Sequence, residues 1–154
     1  MKGKWAFFGV LAVFLVSMAS STSVAVDTSG IEDVRDKEVL GSEDLQIIDN
    51  FVGEAIQELV RTEDFTSIAK VRAVLLARVS SERRSAQAQY AEQFFESAHK
   101  HISKAFRQVG ESTPEGRKFK VMVNLLILVD SLKNLRLADL ALGMLKEENT
   151  VIRY

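Results

Sequence analysis

The residues in this sequence that could carry out metal or acid–base chemistry lie close together. His99 and His101 are the only histidines, and a spacing of two positions on a predicted helix points them to different sides. Glu96 and His99 form a Glu-x-x-His pair, the unit that di-iron helical bundles use twice together with two further glutamates. Because no histidine is left for a second pair, we predict no metal site and interpret these residues as solvated polar side chains.

Other kinds of catalytic site lack their usual residues. The chain has no cysteine, which excludes disulfides, thiolate nucleophiles and thiolate metal sites. It also has no Gly-x-Ser-x-Gly motif, no glycine-rich phosphate-binding loop and no His-Glu-x-x-His motif. We therefore predict that the protein is not an enzyme and uses no cofactor. An enzyme that brings two carboxylates together in a cleft remains as an alternative, since a sequence does not show spatial pairs.

Basic residues cluster around positions 83–84, 99–107 and 117–120. A nucleic-acid surface would need these clusters on one face with aromatic residues between them. The aromatic residues nearby, such as Phe94 and Phe106, fit the apolar stripe of a helix better. We predict that the protein does not bind nucleic acid and interpret the basic clusters as solvated helix faces.

The charge of the chain is distributed unevenly along its length. Positions 27–64 contain twelve acidic and three basic residues, a net charge of about −9, whereas positions 65–154 contain nine acidic and fifteen basic residues, a net charge of about +6. Such an asymmetry can form a polar surface for a partner. The interpretation that we prefer is that oppositely charged helix faces lie close together within one fold.

The N-terminal residues follow the order of a secretory signal. Lys2 and Lys4 precede the uncharged apolar run 5–16, and a tract of small and polar residues follows over 17–25. The apolar run of 12 residues is short for a membrane-spanning helix, which needs about 20. We predict an exported protein, periplasmic or secreted, and keep a retained membrane anchor as the weaker alternative.

Cleavage of this signal is predicted after Ala25. Ser23 and Ala25 place small residues at the −3 and −1 positions of a cleavage site, and Ala19 is the second choice. The predicted signal peptide therefore covers 1–25. The polar and acidic segment that follows, 26–41, has no sustained apolar period and is interpreted as a flexible leader.

Residues 42–154 have the apolar periodicity of helices. In the first predicted helix, which Ser42 caps, apolar residues recur at steps of three and four. These residues are Leu45, Ile48, Val52, Ile56 and Leu59. A second helix follows a cap at Thr62, and a third begins near residue 85 and ends before Gly110, a natural stop.

A fourth predicted helix begins at the cap and first-turn pair Thr113 and Pro114, and a last helix covers about 135–146. The apolar run 121–129 is ambiguous because a buried strand would look the same, but the helices on both sides favour a helix. Asn124 within it is expected to form a hydrogen bond to a neighbouring helix or loop. The sequence predicts an all-α fold of antiparallel helix pairs, either a helical bundle or an α-solenoid.

The end of the last helix and the residues after it resemble the seam between two HEAT-type repeats. In that family a helix ends in a Leu-x-x-Leu-Lys turn, acidic or amide residues follow, and the next helix opens with a Val-(Ile)-Arg start. The matching residues are Leu142, Leu145 and Lys146 in the helix end, Glu148 and Asn149 in the turn, and Val151 and Arg153 in the new helix. Thr150 stands in place of the family's turn proline, and the match covers about 13 residues.

This resemblance implies an α-solenoid, in which stacked helix pairs form a surface for proteins or peptides. The sequence ends at Tyr154, soon after the new helix begins. Since a short stub cannot bury an apolar face, we predict that the helical domain 42–154 is truncated and belongs to a longer repeat array. A frayed tail after a small bundle is the alternative.

Together these observations predict an exported, non-catalytic helical-repeat protein that acts as a binding or scaffold module. Its predicted partner is a protein or peptide, and the membrane is involved only through the export signal or a retained anchor. The alternative is a self-contained periplasmic or secreted helical bundle with a structural role.

Overall fold

The computed structural model describes residues 26–79 and 87–146, and within these ranges the chain is all-α, with six helices and no strand. The helices are α1 (Ile31–Arg35), α2 (Ser42–Arg61), α3 (Phe65–Arg78), α4 (Gln87–Ser112), α5 (Glu115–Leu132) and α6 (Leu135–Lys146). The predicted all-α class is therefore confirmed for the described residues, including the ambiguous run 121–129, which is helical.

The two longest of these helices form the centre of the structure. α2 packs against α1, α3, α4 and α5, and α4 packs against α1, α2, α5 and α6. Their apolar stripes are the reason, since the side chains at those steps are buried in one common core. Its large, fully buried members include Ile48, Ile56, Leu59, Tyr90, Phe94 and Ile102. Each such side chain contributes about 1.5–3 kcal/mol when it leaves water, so this core drives folding.

The segment 26–41, predicted as a flexible leader, contains α1, which packs against α2, α3 and α4. Ile31 and Val34 of α1 are buried in the core. An ion pair of 2.7 Å joins Glu32 of α1 to Arg78 of α3. The prediction of a flexible leader is wrong for this part of the segment. The sequence does not reveal α1, because two apolar residues three positions apart can anchor a single helical turn but are too few to show a period.

The starts of α2 and α3 differ slightly from the prediction. Ser42 is the first residue of α2, and the cap position is Gly41, whose N–H donates to the Asp44 carboxylate at 2.9 Å. Asp64, instead of Thr62, caps α3. In both places an aspartate carboxylate accepts a hydrogen bond from an N–H group at the start of the helix, which is the usual reason for a cap.

The junction of α4 and α5 is set by a proline. Gly110 does not end α4, which continues to Ser112, and Pro114 takes the N-cap position of α5 that was expected for Thr113. One glycine inside a helix costs only about 1 kcal/mol, whereas the residue before a proline is driven out of the helical region. Pro114 therefore fixes both the end of α4 and the start of α5.

α5 and α6 are separate helices joined by a tight turn. Lys133 ends α5 with a left-handed backbone, φ 50°, and the side-chain oxygen of Asn134 accepts a hydrogen bond from the Arg136 N–H at 2.9 Å. Within α5, Asn124 is buried and its side-chain NH₂ donates to the Lys120 carbonyl at 2.8 Å. The predicted bond to a neighbouring helix or loop is wrong, since the amide is satisfied one turn earlier in its own helix.

Several residues of the sequence-based predictions lie outside the described ranges. These are the signal peptide 1–25 with its cleavage site at Ala25, and the seam residues Glu148, Asn149, Val151 and Arg153. Of the helix end in the seam, Leu142 lies in α6 and is 53% exposed, and Leu145 and Lys146 belong to the last turn of α6. Among the described residues, no helix is both long enough and apolar enough to cross a membrane.

Candidate binding groove

An open groove of about 910 Å³ runs between the two central helices. Because the apolar stripes of α2 and α4 point into the core, the polar flanks of both helices border this groove. The residues that give it its polarity include Asn50, Glu54, Gln57 and Glu58 on α2 and Lys104 and Gln108 on α4. At the bottom of the groove the two helices approach each other closely, and a histidine side chain lies between them.

Gly53 makes this close approach possible. A Cβ atom at position 53 would lie 2.7 Å from Cε1 of His101, closer than real Cβ contacts allow. The imidazole ring therefore occupies the space that any larger side chain would need. A glycine in the middle of a helix costs about 0.5–1 kcal/mol relative to alanine, and the ring is the structural reason for it here. Periodicity alone does not reveal this contact; the signal in the sequence is a lone glycine within a strong apolar stripe.

Asp49 connects the two walls of the groove. Its carboxylate lies 3.1 Å from Nε2 of His101 and accepts a hydrogen bond from Nζ of Lys100 at 2.8 Å. Partial burial pushes the pKa of Asp49 upward, but the hydrogen bond from Lys100 and the interaction with His101 outweigh burial and hold the pKa below its ordinary value. Asp49 is therefore ionised at neutral pH and fixes the imidazole ring from the α2 side.

The acidic and basic parts of the chain meet at this and other contacts. Besides Asp49, Glu32 pairs with Arg78 at 2.7 Å and Glu63 pairs with Arg117 at 3.6 Å. In each pair the acid comes from the acidic N-terminal stretch and the base from the basic remainder of the chain. The interpretation that oppositely charged helix faces lie close together is confirmed for these contacts.

Two residues of the basic cluster at 117–120 support the end of α2. The Arg117 guanidinium donates to the Val60 carbonyl at 2.9 Å. The Lys120 ammonium donates to the Glu63 carbonyl and lies 4.2 Å from the centroid of an aromatic ring on α3. Cations are favourable at this end of a helix, where the carbonyls lack partners. Both side chains are partly exposed and also bind backbone carbonyls, which the interpretation as solvated helix faces did not include.

His99 lies on another side of α4. It is exposed and borders a shallow depression together with Glu96 of the same helix and Arg136 and Asp139 of α6. His101 instead contacts α2, so the two histidines point to different sides, as their spacing predicts. In the part of the chain that the structure describes, no group of three or more acidic or histidine side chains is placed to hold a metal ion.

The groove offers hydrogen bonds in both directions. The carboxamides of Asn50 and Gln57 can donate and accept, which matches the alternating groups of a peptide backbone. Glu54 and Glu58 lie one turn apart on the α2 wall, where a lysine or arginine side chain of a bound peptide would pair with them. Among the described residues that line the groove, none carries a hydroxyl that His101 could activate.

The chain matches no protein-family model, and no curated protein or solved structure resembles it at a significant level. The resemblance to a HEAT-type seam therefore depends on the sequence of residues 142–153 alone. Any functional conclusion has to come from the chemistry of the described surfaces.

Proposed function

We propose that this protein is an exported, non-catalytic helical module that binds a protein partner by holding an extended segment of it in the groove between α2 and α4. The observation that carries this proposal is the groove itself, with carboxamides for a peptide backbone and two carboxylates on one wall. The preferred segment is polar and of mixed charge, with a basic residue opposite Glu54 and Glu58 and an acidic residue opposite Arg61 and Lys104, since all four line the groove.

The binding is expected to be weak. The carboxamides of Asn50 and Gln57 offer only a few hydrogen bonds, each with a net contribution of about 0.5–1.5 kcal/mol. Exposed ion pairs add about 0–1 kcal/mol each. Contributions of this size correspond to a Kd of roughly 1 mM or weaker once the entropy cost of association is included, which fits a reversible docking site.

Photo-crosslinking tests this proposal. A photoreactive amino acid replaces Gln57 in the groove or, as the matched control, Ala69 on the exposed side of α3. We expect crosslinks from position 57 to a polar segment of a partner that carries a basic residue. The double variant Glu54→Lys/Glu58→Lys should abolish them, whereas Glu111→Lys, an exposed charge reversal on α4, should leave them intact. Equal yields from positions 57 and 69 would contradict binding in the groove.

Export belongs to the same proposal and has its own test. It is supported by the order of charged, apolar and small residues over 1–25. Val26, the residue after the predicted cleavage site, already borders the groove. Mass spectrometry of the protein from the exported fraction should find Val26 as the first residue. A protein that keeps residues 1–25 and stays with the cytoplasmic fraction would contradict export.

A structural helical bundle is the second candidate function. The observation that favours it is the single core, to which all six described helices contribute buried side chains. In that case the ion pairs along the groove only stabilise the fold. The double variant Glu54→Lys/Glu58→Lys would then give the same crosslinks as the wild type. The only effect of groove variants would be a change in thermal stability, measured by circular dichroism.

A further inference from the structure

The outward face of α5 is apolar, although the opposite face of the same helix is already buried. Val121, Leu125 and Leu128 of α5 belong to the core. On the outward face, Phe119 is 50% exposed and Ile127 is 42% exposed. A helix that is apolar on all sides is normally covered on all sides. The described helices leave this face of α5 open to solvent.

The residues of this face follow the spacing of a helix that packs along its length against another helix. We define the α5 face by five residues at steps of three and four: Gly116, Phe119, Val123, Ile127 and Asp130. Steps of three and four keep side chains in one line along a helix and are the spacing of a coiled-coil seam. The line places two large apolar side chains around Val123, which is half-buried, with a small residue at one end and an acid at the other.

We propose that the α5 face is a dimer interface, in which α5 packs antiparallel against α5 of a second copy of this chain. A two-fold axis at Val123 would bring each Phe119 opposite Ile127 of the second copy, because both residues are four positions from Val123. An isologous interface requires a patch that is complementary to itself in this way. The proposal is independent of the proposed function, since it uses no residue of the groove.

The charges at the two ends of the face favour a second copy over another apolar partner. The same axis brings Asp130 opposite Gly116 of the second copy, in the first turn of its α5. That helix start has no side-chain cap hydrogen bond, since Pro114 holds the cap position, and Glu115 is the one acid of its first turn. A carboxylate is favourable at the positive end of a helix, where the first N–H groups lack partners. The interaction occurs twice in a symmetric pair.

Two further features fit this arrangement. A Cβ atom built on Gly116 meets nothing within 4 Å, so the helix start is open to an approaching carboxylate. Lys133, close to Asp130 at the end of α5, would face the end of the second copy that carries Glu115. Within each chain Asp130 pairs with Lys133 at 2.7 Å and Glu115 pairs with Lys118 at 3.2 Å. An antiparallel pair would place these two ion pairs next to each other at both ends, where each lysine can also reach the carboxylate of the second copy.

The dimer is expected to be weak. A pair of helices of this length covers less than the roughly 800 Å² per partner that a standard stable interface buries. Phe65 of α3 is 68% exposed and borders the side of α5 through its contact with Lys120, so it can enlarge the apolar area. We expect dissociation constants in the micromolar range or above, with monomers at low concentration.

Sedimentation equilibrium of the full chain over a wide concentration range tests the proposal. The wild-type chain should form dimers as its concentration rises, and Val123→Arg, which places two like charges on the axis, should raise the dissociation constant at least tenfold. Val39→Arg makes the same change at a residue that is 77% exposed outside the α5 face, and it should dimerise like the wild type. Circular dichroism confirms that each variant is folded.

A charge exchange makes the test specific for the antiparallel geometry. Phe119→Glu and Ile127→Lys should each weaken association, because each removes apolar contact on both sides of the axis. The double variant Phe119→Glu/Ile127→Lys brings a carboxylate opposite an ammonium group twice, so it should dimerise at least several-fold more tightly than either single variant. A wild-type chain that stays monomeric at all concentrations, or a double variant no tighter than the single ones, would overturn the proposal.

Discussion

The groove between α2 and α4 and the α5 face are both exposed, but they are built in opposite ways. In the groove, polar groups are held in place: the Asp49 carboxylate lies 3.1 Å from the His101 ring, and Gly53 leaves room for that ring. On the α5 face, Phe119 and Ile127 present apolar surface to solvent. One surface is concave and directional, and the other is convex and apolar.

This difference determines how each surface would choose a partner. Hydrogen bonds and ion pairs select by chemical type and position, so under the proposed function the groove would discriminate among peptide sequences. Apolar contact is non-directional, so the α5 face depends on shape, symmetry and the charges at its ends. Variants in the groove should change specificity and pH dependence, whereas variants of the α5 face should change association, and each set should leave the other property unchanged.

The largest expected effect separates the two faces of α5. Leu125 is fully buried, while Ile127 is 42% exposed. Leu125→Ala should lower the free energy of unfolding by about 2–5 kcal/mol, because it removes buried methyl groups and leaves a cavity. Ile127→Ala leaves no cavity and should change the free energy of unfolding by only about 0.5 kcal/mol. Chemical denaturation at low protein concentration, where copies are separate, measures both values.

Leu128→Ala serves as the internal control for this prediction. Leu128 is also fully buried on the core side of α5, so its truncation should resemble that of Leu125. Equal losses of stability for Leu125→Ala and Ile127→Ala would show that the outward side of α5 belongs to the core. The α5 face would then be part of the core, and it could no longer be contrasted with the polar groove as an exposed apolar surface.

The fold could be predicted largely from the sequence because burial imposes a period. The stripe of Leu45, Ile48, Val52, Ile56 and Leu59 predicts α2, and the four further predicted helices correspond to α3, α4, α5 and α6. Helix α1 could not be predicted from periodicity, because one turn with Ile31 and Val34 does not establish a period. The predicted helix ends differ from the observed ends where individual capping residues determine them, as at Pro114.

The groove could not be predicted, because its contacts join residues far apart in the chain. Asp49 and His101 lie on different helices, and a sequence does not show which helix flanks meet. Two signals were present: the glycine at position 53 inside an apolar stripe, and the opposite charges of the two parts of the chain. Both become informative only when the packing of α2 against α4 is known.

An intermediate effect is expected at the floor of the groove. Gly53→Ala places a Cβ atom 2.7 Å from Cε1 of His101, so the ring or the helix must shift. Overpacking of this kind costs about 1–3 kcal/mol, and the better helix propensity of alanine offsets about 1 kcal/mol. We expect a net loss of about 1 kcal/mol in the free energy of unfolding, measured by chemical denaturation.

The control for Gly53→Ala is the same substitution at Gly110. A Cβ atom at Gly110 meets nothing within 4 Å, so Gly110→Ala should stabilise the protein by about 0.5–1 kcal/mol. In a His101→Ala background, Gly53→Ala should also become stabilising, because the ring that it collides with is gone. A Gly53→Ala variant that is stabilising with His101 in place would contradict the close contact that defines the groove.

The smallest expected effect concerns the charge of Asp49. Asp49→Asn removes the ionised partner of Lys100 and His101, and because the Asp49 side chain is 32% exposed, solvent screening limits the loss at neutral pH to about 1 kcal/mol or less. The pKa of Asp49 is lowered in the folded protein from its ordinary value of 3.8. A carboxyl group with a lowered pKa stabilises the fold fully above its unfolded-state pKa, and this contribution is lost as the pH falls through the folded-state pKa.

The difference in stability between the wild type and Asp49→Asn should therefore be constant above about pH 5 and shrink as the pH falls below 3.8. Urea denaturation at a series of pH values measures this difference. Asp139→Asn, an exposed change on α6 outside the groove, should alter stability by no more than about 0.5 kcal/mol. If the difference for Asp49→Asn persisted undiminished at the lowest pH, it would come from the shape of the side chain, and the groove would not owe its geometry to charge.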